Sequence, residues 1–354
     1  MAGGRGERFW PQSRESTPKH LLPIVGGKPM LAQTVDRVLG VVPRENVIVI
    51  TTRAQLDGCR LACPGVPAEN IIAEHVGRDT AAATGLAMLM VKQRSAHATF
   101  AMLPADHVIH NVSEYQKLLR IAFEAAEAAD VLVTLGIKPT EPATGFGYIQ
   151  HGGHWRVIGG RAVMAVKRFV EKPDLATARA YLATEEYFWN AGMFVWQVPV
   201  IEAAFKLHAP ELYAGLQRLE AAVLAAGNWD GALRDVHPTL PKISVDFALM
   251  EKSANVVVVP ATFDWDDVGA WPAIAKHLPA DAMGNVLRGH SLVEDGSNNI
   301  VVSTDGHLVG VIGMNDLVVV HTPDATLVVP KARAQEIKGL LKRLAADDRG
   351  AKFL

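Results

Sequence analysis

A glycine-rich segment near the start of the sequence is the first candidate for chemistry. It reads GGRGER at residues 3–8 and carries Arg5 and Arg8, and Lys19 follows Pro18 shortly afterwards. Glycine lets backbone N–H groups turn towards an anion, and arginine adds charge and forked donors. The three cations therefore favour a triphosphate as the ligand. The segment is neither a P-loop nor a dinucleotide-binding fingerprint, and a flexible turn is the alternative.

Two acidic positions are candidates for metal binding. Asp106 follows the apolar run at residues 99–103, which predicts a buried strand, and acids at the carboxyl ends of parallel strands face the ligand crevice. One of the adjacent acids Asp266 and Asp267 is a candidate for the second ligand. Mg²⁺ prefers carboxylates together with substrate phosphates. The alternatives are an exposed acidic turn and a helix cap. His107 and His110 suggest zinc, but no further His or Cys cluster completes such a site, so we assign them either to packing or to support of the residues that bind the ligand.

Glu74 ends a short apolar run, Ile71 to Ala73, that predicts a strand. A carboxylate can accept two parallel hydrogen bonds, and the N1 and N2 edge of guanine offers two donors where adenine does not. Glu74 is therefore a candidate for reading the base. A single Glu at a strand end is more commonly a solvated surface carboxylate.

Three further segments combine glycines with polar groups: residues 145–148 (GFGY), 169–173 (FVEKP) and 189–193 (WNAGM). Together they offer permissive backbone, an acid for sugar hydroxyls, a lysine for a phosphate and an amide. Each one alone is explained as a turn or a surface pair. Jointly they favour a polar ligand such as a sugar phosphate.

The elements that position these residues follow from periodicity. A helix opens at Pro29, another at Asp79 or Thr80, and a third follows a capping box of Ser113 and Gln116. Strands are predicted at residues 47–50, 71–73, 99–103 and 131–135. Strands that alternate with helices predict an α/β fold with a parallel sheet covered on both faces.

The pattern changes near residue 280. Short valine-rich segments separated by turns extend over residues 285–329, and a helix is predicted over 332–346. We therefore expect a catalytic domain at residues 1–278 and a small β-rich domain at 279–354.

Bulk properties exclude some function classes. The chain has 354 residues and a net charge of −2, so bulk electrostatics favour neither nucleic acid nor membrane as a partner. No apolar run reaches the roughly 18 residues that span a bilayer. The two cysteines, Cys59 and Cys63, are expected to be incidental thiols of a reducing cytoplasm.

A family resemblance emerges when these segments are combined with four others: PKH at 18–20, GRDTA at 77–81, LPADH at 103–107 and WDDVG at 265–269. The chain resembles the short bacterial mannose-1-phosphate guanylyltransferases (GDP-mannose pyrophosphorylases) of the sugar nucleotidyltransferase superfamily, over essentially its whole length. The loop alone would indicate only the superfamily.

The resemblance implies a Rossmann-like nucleotide-diphospho-sugar transferase fold with a small domain like a left-handed β-helix. It implies the reaction of GTP with mannose 1-phosphate to GDP-mannose and pyrophosphate, with Mg²⁺. It implies catalytic roles for Arg8, Lys19 and Asp106, and metal binding by Asp106 and Asp267. The implied nucleotide-binding residues are Ala2, Gly3, Gly4, Gly6, Glu74, Gly77, Asp79 and Thr80. The implied sugar-phosphate residues are Gly145, Tyr148, Glu171, Lys172 and Asn190.

This chemistry needs no protein nucleophile. The attacking oxygen of mannose 1-phosphate is already anionic, so the obstacle is bringing two anions together in line at the α-phosphorus. Mg²⁺, Arg8, Lys19 and Lys172 reduce the repulsion, and positioning supplies much of the rest. We therefore expect no Ser or His triad.

The sequence departs from the family at two places. His75 stands where family members have a proline. Only Met1 precedes Ala2, where the family has an apolar strand. Each fully buried aliphatic side chain of such a strand contributes roughly 1.5–3 kcal/mol. We therefore expect Met1 to be an internal methionine, and a chain without that strand to have a damaged sheet and a poorly anchored loop.

Two rival functions remain open. One is a nucleotidyltransferase for another nucleotide or hexose 1-phosphate, and the other is an inactive sugar-nucleotide sensor. The charged residues Arg8, Lys19, Asp106, Lys172 and Asp267 argue against a sensor. A homodimer through the C-terminal domain is a further expectation.

Overall fold

A computed structural model describes residues 1–347 and 350–354 of the chain. The first part of the chain forms an α/β unit, and the last part forms a smaller β-rich unit. The helices are α1 Met30–Val38, α2 Leu56–Ala62, α3 Asp79–Arg94, α4 Val112–Ala128, α5 Leu175–Thr184, α6 Val198–His208, α7 Pro210–Ala226, α8 Trp229–Asp235 and α9 Ile337–Ala345. The strands of the α/β unit are β1 Val49–Thr52, β2 Ile71–Glu74, β3 Thr99–Met102, β4 Leu132–Ile137, β5 Tyr148–Ile158, β6 Arg161–Val170, β7 Tyr187–Gln197 and β8 Val256–Ala261. The strands of the β-rich unit are β9 Val286–Arg288, β10 Ser291–Glu294, β11 Ile300–Ser303, β12 Val309–Ile312, β13 Leu317–Thr322 and β14 Ala325–Pro330.

The central sheet is mixed, so the expectation of a parallel sheet was wrong. Its six strands lie in the order β3-β7-β4-β8-β6-β5, and only β4 and β8 pair in parallel. The reversal begins after β4, where the chain forms the long antiparallel hairpin β5–β6. β7 then inserts between β3 and β4 and runs antiparallel to both. A separate two-stranded sheet pairs β1 with β2 in parallel.

Helices cover both faces of the sheet. α3 is buried along most of its length and packs with α6 and α7, while α4 packs its apolar face on β4 and β8. The predicted helix start at Asp79 is confirmed, because α3 begins there. The predicted capping box of α4 was wrong. The helix begins at Val112, and the Asn111 side chain caps it by accepting from the Glu114 N–H at 3.2 Å.

The first two residues lie between β1 and the segment after β3. Ala2 N donates to Ile50 O at 2.8 Å, and the Met1 amino group donates to Leu103 O at 2.8 Å. Beyond them, β1 and β3 are edge strands of separate sheets. A mostly apolar cavity of about 340 Å³ lies between these two strands, with α3 and α4 side chains also in its wall.

The β-rich unit is a short β-helix packed against the α/β unit. Strands β9, β11 and β13 form one parallel layer and β10 and β12 another, while β14 pairs antiparallel with β13. Val286, Ile300 and Val318 stand in register at its interior. The helix predicted over 332–346 begins instead with a 3₁₀ segment at Lys331–Glu336, and α9 follows it. None of the helices within the described ranges is both long and apolar enough to cross a bilayer.

Candidate active site

Two adjoining cavities open beside the glycine-rich loop. The larger has a volume of about 470 Å³ and the smaller about 370 Å³. Asp106, His107 and Asp267 line both of them. The two candidate metal ligands therefore lie at the junction of the cavities, although the chain separates them widely.

The structure brings nearly all of the candidate site residues to these cavities. Those along the larger cavity are Gly3, Gly4, Glu74, Gly77, Asp79, Thr80, Asp106, Gly145, Glu171, Lys172, Asn190 and Asp267. Those along the smaller cavity include Gly6, Arg8 and Lys19. The larger cavity thus holds the groups expected for a nucleotide and a sugar, and the smaller holds the groups expected for phosphates.

Ala2 and Tyr148 are not among the lining residues. Ala2 is buried and uses its backbone, because its N–H donates to Ile50 O and its carbonyl accepts from Thr51 Oγ1 at 2.8 Å. Tyr148 is buried, and its hydroxyl donates to Ala143 O at 2.9 Å. Both residues therefore hold neighbouring segments in place instead of facing the cavities.

The glycines of the loop serve two different purposes. A Cβ at Gly4 would meet nothing within 4 Å, and one at Gly3 would meet its nearest neighbours at 3.8 Å, so both leave open space for a ligand. Gly6 has φ +61°, and a Cβ there would lie 2.3 Å from Lys19 Cβ. Only glycine therefore lets the loop approach Lys19 this closely.

Lys19 connects the two candidate metal ligands. Its buried ammonium lies 3.0 Å from Asp106 Oδ2 and also donates to the main-chain carbonyl of Asp267. Burial by itself raises the pKa of Asp106, but the charges of Lys19 and His107 and the Lys19 hydrogen bond outweigh it and lower the pKa to about 2. Burial raises the pKa of Asp267, and the Lys19 charge opposes that rise.

Two buried histidines, His107 and His20, are held neutral. Burial lowers the pKa of His107 to about 4, and its Nδ1 accepts a hydrogen bond from Trp265 Nε1 at 3.1 Å. Burial likewise lowers the pKa of His20 to about 4. Neither imidazole adds positive charge at neutral pH, so the arginines and lysines supply the cationic charge of the cavities.

Glu74 is buried at the end of β2 and has a buried partner. His237 Nε2 lies 3.2 Å from Glu74 Oε1, and His237 is fully enclosed. The contact is not aligned as a hydrogen bond, so both atoms lack a hydrogen-bond partner among the described residues. Buried polar atoms are normally paired. Glu74 is therefore not the solvated surface carboxylate of the alternative interpretation.

The opposite wall of the larger cavity is organised around Asn190. Asn190 Nδ2 donates to Asp246 Oδ1 at 2.8 Å, while its Oδ1 accepts from Gly192 N at 3.0 Å. Burial, followed by the nearby Glu171 charge, raises the pKa of Asp246 to about 6. A Cβ at Gly147 would lie 2.5 Å from Glu171 Oε2, so that glycine lets the acid approach closely.

Three non-glycine residues at or beside the site have positive φ angles in the left-handed region. They are Asp79 with φ 65°, Lys172 with φ 47° and Val268 with φ 45°. Val268 is β-branched and fully buried beside Asp267, where such a φ is costly. Strain of this kind concentrates at functional sites, where the surrounding structure fixes it.

Three residues at or beside the site carry no signal that sequence reasoning detected: His237, Asp246 and Lys338. Asp246 begins a π-helix, Asp246–Met250, a feature that is frequent at functional sites but invisible in composition. His237 follows α8 as a lone histidine. Lys338 lies on α9, among several lysines of the C-terminal region.

Comparisons with known proteins agree with this geometry. The Nucleotidyl transferase family matches residues 1–283, and the MannoseP isomerase/GMP-like beta-helix domain matches residues 291–344. A Klebsiella pneumoniae mannose-1-phosphate guanylyltransferase is 38% identical over 99% of this chain and 74% of its own length. A Sinorhizobium fredii enzyme of the same name is 39% identical over 100% of this chain and 68% of its own length.

A solved structure gives the same result. It is described as a mannose-1-phosphate geranyltransferase from Thermus thermophilus, with a TM-score of 0.86 and 36% identity over 98% of both chains. The matches therefore support both the α/β unit and the β-rich unit of the fold, and they identify the enzyme class. The chain is a nucleotidyltransferase and belongs to the mannose-1-phosphate guanylyltransferase family.

Proposed function

We propose that this chain transfers GMP from GTP to mannose 1-phosphate, giving GDP-mannose and pyrophosphate, by direct in-line attack with Mg²⁺. The observation that carries the proposal is the wall common to the two cavities. Asp106 and Asp267 line both cavities. The larger cavity also carries the groups proposed for the base and the sugar, and the smaller one is also lined by Arg8 and Lys19. A reacting α-phosphate at this junction would have the sugar phosphate on one side and the leaving pyrophosphate on the other.

The nucleotide is placed by the glycine loop and by Glu74. Gly3 and Gly4 leave room for close approach of the triphosphate, and Gly77, Asp79 and Thr80 stand at the start of α3 on the same cavity. The Glu74 carboxylate would accept from N1 and N2 of guanine. Its buried Oε1 supports this role, because the described residues offer that atom no aligned donor and a base would supply one.

The metal fits the donor set that is present. Mg²⁺ takes one or two carboxylates and completes its coordination with water and phosphate oxygens. Asp106 and Asp267 would hold it, and the low pKa of Asp106 keeps that carboxylate ionised. When bound, the metal neutralises phosphate charge and polarises the α-phosphate.

The sugar phosphate is held by the wall opposite the base. Asn190 is fixed by Asp246 and Gly192, and Glu171 offers an acceptor for sugar hydroxyls. The Lys172 ammonium, now donating to Glu171 Oε1, is placed to bind the phosphate of the incoming sugar. Gly145 lines the same wall with nothing near its Cβ position, which leaves space for the ligand.

The step itself requires no protein base. An anionic phosphate oxygen of the sugar attacks the α-phosphorus of GTP, a new P–O bond forms, and the bond to the β-phosphate oxygen breaks. Arg8 and Lys19 offset the charge that passes to pyrophosphate, as preorganised cations do in phosphoryl transfer.

A panel of substrates tests the proposal. Pyrophosphate release is measured for GTP, ATP, UTP and dTTP, each paired with mannose 1-phosphate and glucose 1-phosphate. We expect GTP with mannose 1-phosphate to give the highest kcat/KM. A higher value for another pair would replace this proposal with the alternative nucleotidyltransferase function.

We further propose a homodimer formed through the β-rich unit, in the cytoplasm. Large apolar side chains are exposed on that unit, including Leu292, Leu308, Ile312 and Val328. We propose that these side chains are covered in the dimer, since exposed large apolar side chains gain from burial at an interface. Light scattering after gel filtration is expected to give a dimer mass, and Ile312→Lys is expected to give a monomer. A monomeric wild type would exclude this assembly.

Fractionation of cells tests the proposed cytoplasmic location, and we expect to detect the protein in the cytosolic fraction.

A further inference from the structure

The smaller cavity is lined by two parts of the chain that lie at opposite ends of the sequence. Residues 5–9 of the glycine-rich loop line it together with Lys19, and so does Lys338 of α9. Lys338 belongs to the C-terminal unit, so this unit contributes a cation to a cavity of the catalytic unit.

Lys338 is held by rigid neighbours although its own side chain is exposed. Ile337, the preceding residue, is only 2% exposed and packs in one apolar cluster with Phe9, Trp10 and Trp271. Trp10 Nε1 donates to Phe353 O at 2.7 Å, which joins the loop to the segment that follows α9. The position of Lys338 beside the loop is therefore fixed by packing of the two units.

Some of the cationic side chains around the smaller cavity are paired with carboxylates and others are not. Arg5 pairs with Glu15 at 3.4 Å, and Lys19 pairs with Asp106. Lys338 forms no hydrogen bond or ion pair with any residue in the described ranges. Arg8 Nε is buried and likewise has no hydrogen-bond partner there. Among the described residues, the cavity lining therefore includes an ammonium without a partner at Lys338 and an arginine with one unpaired N–H at Arg8, and ammonium and guanidinium groups bind phosphate oxygens.

We propose that Lys338 is a phosphate-binding residue that holds the pyrophosphate end of the nucleotide. The assignment of the ligand rests on the proposed function. Lys338 lines only the smaller cavity, whereas the residues proposed to hold the sugar line only the larger one. The smaller cavity is therefore the one assigned to the phosphates that leave. It would receive the β- and γ-phosphates before the reaction and the free pyrophosphate after it.

The test is calorimetric binding of inorganic pyrophosphate to the full chain, in buffer with EDTA and without nucleotide or sugar. Lys338→Gln removes the charge with little change in helix propensity, and Lys338→Arg keeps the charge. Lys342→Gln is the matched control, because Lys342 lies one turn further along α9 and does not line the cavity. Thermal unfolding of each variant checks that the fold is intact.

We expect Lys338→Gln to raise the Kd for pyrophosphate by about three- to tenfold, the range of an exposed to partly desolvated charge-assisted contact. We expect Lys338→Arg and Lys342→Gln to bind within about twofold of wild type at moderate salt. Equal affinities for Lys338→Gln and wild type, or an equal loss for Lys342→Gln, would overturn the assignment. So would a wild type that does not bind pyrophosphate.

These outcomes are separate from those of the proposed function. If pyrophosphate binding depends on Lys338 but GTP with mannose 1-phosphate is a poor pair, the phosphate site stands and the substrate assignment fails. If that pair is the best and Lys338→Gln binds pyrophosphate as wild type does, the substrate assignment stands and the role of Lys338 fails.

Discussion

The Lys19 ammonium lies 3.0 Å from Asp106 Oδ2, and it also donates to the carbonyl of Asp267. One buried cation thus fixes the spacing of two acids that lie on segments far apart in the chain. Lys19 in turn packs against Gly6, where only glycine allows the contact. The glycine-rich loop therefore positions the acids through Lys19, in addition to lining the two cavities.

Replacing Lys19 by Gln is expected to lower kcat by about 100-fold or more, the usual cost of removing one preorganised charge from a transition state. Asp106 would also lose its main stabilising partner, so its pKa would rise. The measurement is steady-state pyrophosphate release. Lys28→Gln is the control, since Lys28 is exposed and pairs with Asp36 on the surface. Similar kinetics for the two variants would exclude Lys19 from the reaction.

Asp106→Asn is expected to reduce turnover far more than stability and to raise the Mg²⁺ concentration needed for half-maximal rate by about tenfold or more. The physical reason is loss of one of two anionic ligands. Mg²⁺ titration of the initial rate measures it, with Asp57→Asn on the exposed face of α2 as the control. Unchanged turnover at saturating Mg²⁺ would reject Asp106 as a ligand.

Glu74→Gln is expected to weaken the preference for GTP over ATP by about 10- to 100-fold, the value of a hydrogen bond to a charged group. ITP, which lacks the N2 amine, should lose less than GTP on this substitution, because it makes only one of the two contacts. Comparison of kcat/KM for GTP, ITP and ATP measures the effect. Glu69→Gln, at an exposed position just before β2, is the control. A preference that Glu74→Gln leaves intact would place base recognition elsewhere.

The pKa of Asp246, raised from 3.8 to about 6 mainly by burial, makes a prediction about stability and pH. Between these two values the folded state binds more protons than the unfolded state, so the free energy of unfolding falls as pH rises through this window. A pKa that differs by one between the folded and unfolded states corresponds to about 1.4 kcal/mol of unfolding free energy. Urea unfolding of wild type at several pH values should show this fall, and Asp246→Asn should flatten it. Identical pH profiles would mean that Asp246 titrates normally.

The sequence predicted which residues meet at the cavities better than it predicted the topology of the sheet. Glycines, Lys19 and the acids lie in short motifs that can be recognised locally, and most of them line the two cavities. The order of strands depends on long-range pairing. The insertion of β7 between β3 and β4 leaves no local pattern in residues 187–197.

Residues that act through tertiary contacts escaped sequence reasoning for the same reason. His237 matters because folding places it against Glu74, which lies far away in the chain. Asp246 is the one acid of an otherwise apolar π-helix, and its role in fixing Asn190 becomes visible only from their contact. The capping-box motif also failed to locate the start of α4. Asn111 caps this helix in place of Ser113, because the Asn111 side chain accepts from the Glu114 N–H.

The apolar cavity between β1 and β3 gives a prediction about stability alone. Ala87 of α3 lines this cavity, so Ala87→Leu is expected to fill part of its 340 Å³ and to stabilise the protein by about 0.5–2 kcal/mol. Ala126 of α4 is fully buried and does not line the cavity, and Ala126→Leu should destabilise by about 1–3 kcal/mol. Chemical unfolding measures both. Equal losses for the two variants would show that the cavity cannot accept a side chain.

The bond from Trp10 to Phe353 joins residues 343 positions apart, and Trp271 Nε1 reaches Trp10 O across 261 positions. During synthesis the glycine-rich loop is therefore made long before the partners that hold it. Contacts of such long sequence separation form slowly, because chain entropy is lost before they form. The phosphate cavity should therefore be among the last parts of the molecule to assemble, and partly folded chains should lack nucleotide affinity even where the central sheet has formed.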